Sequence, residues 1–165
     1  MASLAAFAGV VEKWQAVLAL QPLVSELRVR MTTEPSGSNF IYGPGMPLKL
    51  ALSRTGTGSG KRYATVSNLA ADGTVQLLYP LASDGEGVLP DGRQVSILET
   101  EVVPPFGVDH IVAVTSPGDM NAMRSALRSA AGQRAAGRLT GMICDQLRRD
   151  RGQGALAISQ LSTGL

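Results

Sequence analysis

Several residue types are scarce in this chain of 165 residues, and each shortage excludes a class of structure. The single cysteine, Cys144, has no partner for an internal disulfide and is too few for a cysteine-based zinc site. Charged residues make up only 17% and hydrophobic residues 44%, which is the reverse of the composition of a disordered chain. The sequence therefore predicts one folded domain that is held together by the packing of a single core.

Aromatic residues are also few, at 4%, and none occurs between Asp119 and Leu165. The first part of that segment is basic, with seven arginines against three aspartates between Asp119 and Arg151. A helical face that carries arginines is a candidate surface for an anionic partner, and its members are Arg124, Arg128, Arg148 and Arg149. A solvated face explains the pattern equally well, and without rings to stack bases the segment argues against nucleic acid as a partner.

The N-terminal segment lacks the basic start and the uninterrupted apolar run of a signal peptide or membrane span, because Glu12 and Lys13 break it. This favours the cytoplasm as the compartment. Apolar residues instead recur at helical spacing and predict a helix over residues 1–22 that covers the sheet and buries Trp14, the stripe being Leu4, Phe7, Val11, Trp14 and Leu18. Ser3 is its expected N-cap and Pro22 its stop. The alternative is a linker helix that docks on a preceding domain and leaves Trp14 exposed.

Two loops resemble ligand-binding motifs without meeting their requirements. The stretch from Gly56 to Lys61 lacks both the first glycine and the final Ser or Thr of a phosphate-binding loop, and it leads into a strand where that motif needs a helix. The acidic residues Asp84, Glu86 and Asp91 do not have the spacing of a calcium-binding loop. We therefore expect no cofactor and no metal.

In the centre of the chain, residues 26–116, apolar and polar residues alternate in the way that is typical of β-strands, which predicts a β-rich body. Its clearest hairpin runs from Arg62 to Tyr79 around Asp72-Gly73, which predicts a two-residue turn with Gly73 at positive φ. Apolar residues alternate in four further segments, 27–31, 48–52, 95–99 and 108–114. A pair of helices is predicted over residues 119–152 and a last strand over 155–162. The expected fold is α+β, a mostly antiparallel sandwich or open barrel of about seven strands.

His110 and Cys144 together provide the side chains of a base and a nucleophile. Cys144 falls within the second predicted helix, beside an apolar stripe, where we expect it to be buried and unreactive. A free-standing cysteine hydrolase that uses these two residues is the alternative to a non-catalytic domain.

Three runs, YATVSNLAADGTVQLLYPLA, LPDGRQVSI and TEVVPPFGVDHIVAVTSP, resemble a family of bacterial β-rich domains commonly found C-terminal to caspase-like peptidase domains. The similarity covers about Leu27 to Ser116 and extends to the helix pair and the last strand. It rests on turn and packing residues, namely Asp72, Gly73, Tyr79, Pro80, Leu89, Pro90, Pro104, Pro105, Phe106 and Gly107. The resemblance implies a non-catalytic accessory module for recognition or regulation. Its partner would be the upstream caspase-like domain of a larger parent chain, or another protein.

Overall fold

The computed structural model describes residues 3–25, 29–37, 40–56 and 60–165. These residues form an α+β fold with one helix at the N-terminus, a β-rich centre, and two helices before the last strand. The helices are α1 (Leu4–Leu20), α2 (Asn121–Ala130) and α3 (Ala136–Arg149). The strands are β1 (Val29–Glu34), β2 (Ile41–Tyr42), β3 (Pro47–Arg54), β4 (Tyr63–Leu69), β5 (Val75–Tyr79), β6 (Gln94–Glu101), β7 (Val108–Ser116) and β8 (Ala155–Thr163).

The strands make two sheets. The smaller has the order β1-β3-β6, and the larger has the order β2-β8-β7-β4-β5. All pairs are antiparallel except β2 with β8. One core cluster joins the inner faces of the two sheets, and a second lies between the larger sheet and the helices. The sheets do not close into a barrel. The molecule thus has three layers, and the predicted α+β fold is confirmed.

The alternation seen in the sequence places side chains on the expected faces of the strands. In β3, Leu48, Leu50 and Leu52 are buried between the sheets, while Pro47 and Lys49 are exposed. Leu27, the predicted start of β1, lies outside the described residues, as do positions 57–59 of the glycine-rich loop. The structure has eight strands rather than seven because β2 occupies two residues where the sequence predicted only a turn. A strand of two residues is too short to show a period.

The central hairpin has the predicted glycine geometry but a longer loop. Gly73 has a φ of 89°, as expected for its place after Asp72. Its N–H donates to the Ala70 carbonyl at 2.9 Å, and the Ala70 N–H donates to the Thr74 carbonyl at 2.9 Å. These bonds enclose three loop residues, so the prediction of a two-residue turn was wrong. Three-residue hairpin loops place a left-handed glycine at this position.

Helix α1 begins as predicted, since the Ser3 hydroxyl accepts from the Ala6 N–H at 3.2 Å. The prediction that its large apolar stripe covers the sheet was wrong, because Leu4, Phe7 and Leu18 are largely exposed. Trp14 is 40% exposed and keeps only an edge contact with His110 of β7. The buried side consists of Gly9, Lys13, Ala16, Val17 and Leu20. A Cβ at Gly9 would lie 2.8 Å from the Asp72 carbonyl oxygen, and one at Gly73 would lie 2.5 Å from the Gly9 carbonyl oxygen. Two backbones this close leave no room for large side chains.

The C-terminal helices agree with the predicted pattern. Helix α2 buries Met123 and Leu127, and α3 buries Leu139 and Ile143, all on the side of the larger sheet. Asp119 accepts from the Asn121 N–H at 3.1 Å at the start of α2. Among the described residues, every helix is too short or too polar to cross a membrane.

Candidate functional site

His110 and Cys144 do not form the hydrogen-bonded pair that a hydrolase would need. The His110 ring makes an edge contact with Trp14, with ring centroids 5.2 Å apart, and its Nδ1 has no partner among the described residues. Cys144 lies on α3 and is half-buried, which differs from the full burial that its helix position predicted. Burial and the nearby Lys13 charge lower the pKa of His110 to about 4, against the weaker opposing effects of Gln160 and Asp109. Such an imidazole is a weak base near neutral pH.

The predicted arginine face separates into one structural residue and three exposed ones. Arg124 is buried, and its guanidinium donates to Thr65 Oγ1 at 2.9 Å, to the Ala64 carbonyl at 2.8 Å and to the Glu86 carbonyl at 2.9 Å. Arg128 is exposed on α2, whereas Arg148 and Arg149 are exposed near the end of α3. The inclusion of Arg124 in a partner-binding face was therefore wrong, because three long-range hydrogen bonds hold it inside.

Arg124 and Arg128 line a small cavity of about 220 Å³, together with Pro80 and Glu86. Burial is the main cause that lowers the pKa of Arg124, while Tyr79 opposes it. Burial likewise raises the pKa of Tyr79, with a further contribution from Asp84. Each of the three guanidinium nitrogens of Arg124 already donates one hydrogen bond within the fold.

The residues that carried the family resemblance have structural roles in this chain. Tyr79 and Pro80 are buried at the end of β5, and Phe106 is half-buried against the core between the sheets. Pro104 and Pro105 lie exposed at the corner that leads into β7. A Cβ at Gly107 would lie 2.7 Å from Ala71 Cβ, so this corner packs against the hairpin loop.

A polar cluster lies beneath α1, and the sequence did not predict it. The Lys13 ammonium donates to the Val108 carbonyl and lies 4.9 Å from the centre of the Trp14 ring. Asp109 accepts from the Ala71 N–H at 2.9 Å and from Asn68 Nδ2 at 3.1 Å. The cluster therefore ties α1 to the hairpin loop and to the start of β7. Lysine is almost never fully buried unless it has a partner. The partner of Lys13 is the Val108 carbonyl, 95 residues away in the sequence, so local spacing does not reveal it.

Burial is the largest single influence on the pKa values of Lys13 and Asp72 in this cluster. Burial lowers the pKa of Lys13, while Asp109 and Asp72 partly offset the effect. Burial acts to raise the pKa of Asp72, but the two hydrogen bonds from Thr74 and the charge of Arg134 hold it below its ordinary value. Lys13 attaches α1 to β7, whereas Asp72 and Asp109 hold the hairpin loop in place.

The outward side of α1 exposes several large apolar side chains. Its large apolar residues are exposed, with Leu4 at 90%, Phe7 at 67% and Leu18 at 72% of full accessibility. Val11 and Trp14 are each 40% exposed. A contiguous apolar stripe on a folded surface is typical of a protein–protein contact. We call this surface, formed by Leu4, Phe7, Val11, Trp14 and Leu18, the α1 stripe.

Neither a search for metal-binding side chains nor comparison with known proteins points to a further site in the described part of the chain. In the parts of the chain that the structure describes, no group of three or more His, Cys, Asp or Glu side chains is close enough to hold a metal ion. Comparison of the sequence with protein-family models finds no matching model, and comparison with curated proteins finds no match. The resemblance to the domains that follow caspase-like peptidases therefore stays a prediction.

Proposed function

We propose that this domain is a non-catalytic accessory module of a larger bacterial protein resembling a caspase-like peptidase. In this proposal the module docks on the preceding domain of its parent chain through the α1 stripe and regulates or positions it. The observation that carries the proposal is the exposure of this stripe on a helix whose other side packs against α3, the hairpin loop and the start of β7.

The geometry of the stripe suits a helical or grooved partner. Its members follow one another at intervals of three and four residues, which keeps them on one line along α1. Such a line is the pattern by which amphipathic helices insert into hydrophobic grooves.

The experiment begins with the open reading frame that encodes this chain. The segment that precedes the domain is expressed separately, and its binding to the domain is measured by calorimetry. The test variant is Leu18→Ser, and the matched control is Ala19→Ser, which alters an exposed position beside the stripe. Loss of one large apolar contact is expected to weaken binding about tenfold, while the control leaves binding unchanged.

Two results would overturn this proposal. One is a reading frame without any peptidase-like segment before the domain. The other is equal binding of Leu18→Ser and the unchanged domain, which would separate the α1 stripe from the contact.

A further inference from the structure

Helix α1 is attached to the rest of the domain in two different ways along its length. Its C-terminal part, residues 16–20, places three apolar side chains in the core cluster between the larger sheet and the helices. Its N-terminal part, residues 4–14, buries only Gly9 and Lys13. A glycine and a lysine bring little apolar surface to a core, so the N-terminal part is held mainly by polar and ring contacts.

The turn from Glu12 to Trp14 makes most of these contacts. The Trp14 ring meets the imidazole of His110 on β7 edge to face, and only 2% of His110 is exposed. The charge of the Lys13 ammonium also acts on the imidazole. Glu12 accepts from the Gly137 N–H at 3.0 Å and ties the same turn to α3. A single turn of α1 therefore joins its N-terminal part to both the sheet and its neighbouring helix.

The surroundings of His110 favour a neutral imidazole. Its Nδ1 is buried and has no hydrogen-bond partner among the described residues. The charged and polar groups that face the ring are Lys13 from α1, Asp109 from β7 and Gln160 from β8, while Asp72 of the hairpin loop acts on Lys13. No carboxylate in the described part of the chain forms an ion pair with His110 or Lys13. A proton on the ring would place a second positive charge beside a buried ammonium.

From these contacts we propose that α1 is an acid-sensitive arm: when His110 takes up a proton, residues 4–14 are released from the body of the domain, while residues 16–20 stay in the core. Release exposes the charged imidazole to water, which solvates it. A helical segment this short is only marginally stable alone, so the released part unwinds. Four of the five members of the α1 stripe belong to this part, and its release removes them from their common line.

Amide hydrogen exchange of the domain alone measures this release. The pKa of His110 is about 4 in the docked state, against an ordinary value of 6.5, so lowering the pH from about 7.5 to about 5 is expected to increase the opening of residues 4–14 roughly 30-fold. Asp72, whose pKa is lowered, stays ionised over this range. The protection of these amides, corrected for intrinsic exchange, should fall by the same factor. Amides of β4 and β7 should remain the better protected at every pH, because they open only when the sheet unfolds.

Two variants assign the effect to the proposed contacts. His110→Gln keeps a polar side chain at this position but does not titrate, so residues 4–14 should have the same protection at both pH values. Lys13→Met keeps the buried stem and removes the ammonium. Because part of the opposition to protonation comes from that charge, its change in protection with pH should be smaller than that of the unchanged protein.

A second measurement keeps the proposal testable if His110→Gln does not fold. The chain has one histidine and one tryptophan, so proton NMR follows His110 and fluorescence follows Trp14 in the unchanged protein. Proton uptake and release are linked, so the imidazole resonance and the Trp14 emission should change with the same midpoint, well below pH 6.5.

The proposal is overturned if residues 4–14 and the strands β4 and β7 show equal protection at every pH, because α1 would then open only with the whole domain. It is also overturned if His110→Gln keeps the pH dependence, if Lys13→Met leaves it unchanged, or if His110 titrates without any change in Trp14 emission. These measurements contain no partner, so their outcome is separate from that of the docking experiment on the α1 stripe.

Discussion

Arg124 attaches α2 to β4 of the larger sheet through two hydrogen bonds of its guanidinium, and a third holds the Glu86 loop. We expect Arg124→Ala to destabilise the domain by about 3 kcal/mol, because the buried Ala64 and Thr65 oxygens lose charged donors and a cavity remains. Arg128→Ala, one helical turn away and exposed, should change stability by no more than about 0.5 kcal/mol. Urea denaturation of both variants measures the difference. Equal effects would mean that Arg124 is not buried as described.

His110 gives the stability of the domain a specific dependence on pH. Its pKa in the folded protein is about 4, against an ordinary value of 6.5, so the unfolded chain binds more protons between these two pH values. The contribution of His110 is therefore complete above pH 6.5 and is lost as the pH falls toward 4. Its size is about 3 kcal/mol. The groups that face the ring are Trp14, Lys13, Asp109 and Gln160.

The measurement is the free energy of unfolding at several pH values across this window, for the unchanged protein and for His110→Gln. As His110 is the only histidine, the variant should show a much shallower slope. Asp72, whose pKa is lowered, loses its contribution at lower pH than His110 and is present in both proteins. Parallel slopes would contradict the burial of a neutral imidazole.

At the scale of elements, the docking of α1 depends on the size of its residues more than on their hydrophobicity. We expect Gly9→Ala to destabilise the domain by about 1 to 3 kcal/mol, because its Cβ would lie 2.8 Å from both the Asp72 carbonyl oxygen and Arg134 Cδ. Gly141→Ala in α3, with open space around the new Cβ, should stabilise by about 0.5 to 1 kcal/mol through helix propensity. Thermal unfolding distinguishes the two. Stabilisation by both substitutions would argue against the close contact of α1 with the hairpin loop.

The strands were more predictable than the position of α1. Leu48, Leu50 and Leu52 reveal their buried face because the residues between them are polar or small. Helix α1 is apolar on both sides, with Ala16, Val17 and Leu20 opposite the α1 stripe, so its period alone does not decide which side docks. The deciding contact joins Gly9 to Gly73, which are far apart in the sequence. That contact exists only once the hairpin is folded.

The whole molecule combines a three-layer fold with an exposed apolar stripe on α1. The sequence predicted the α+β class, the helix pair and the last strand from local patterns. It gave an exposed α1 stripe only as the alternative, and it did not predict the burial of Lys13 and Arg124. These features depend on contacts between distant segments, such as Arg124 with Ala64 or Lys13 with Val108, and local spacing does not contain them.

The account as a whole depends on which side of α1 is free, and Leu18 and Leu20 test this directly. Leu18 is 72% exposed and Leu20 is fully buried, although only Ala19 lies between them in the sequence. The measurement is the free energy of unfolding of Leu18→Ala and Leu20→Ala by urea denaturation. We predict a loss of about 3 to 5 kcal/mol for Leu20→Ala and less than about 0.5 kcal/mol for Leu18→Ala. If Leu18→Ala cost as much as Leu20→Ala, the α1 stripe would belong to the core and would not be a docking surface.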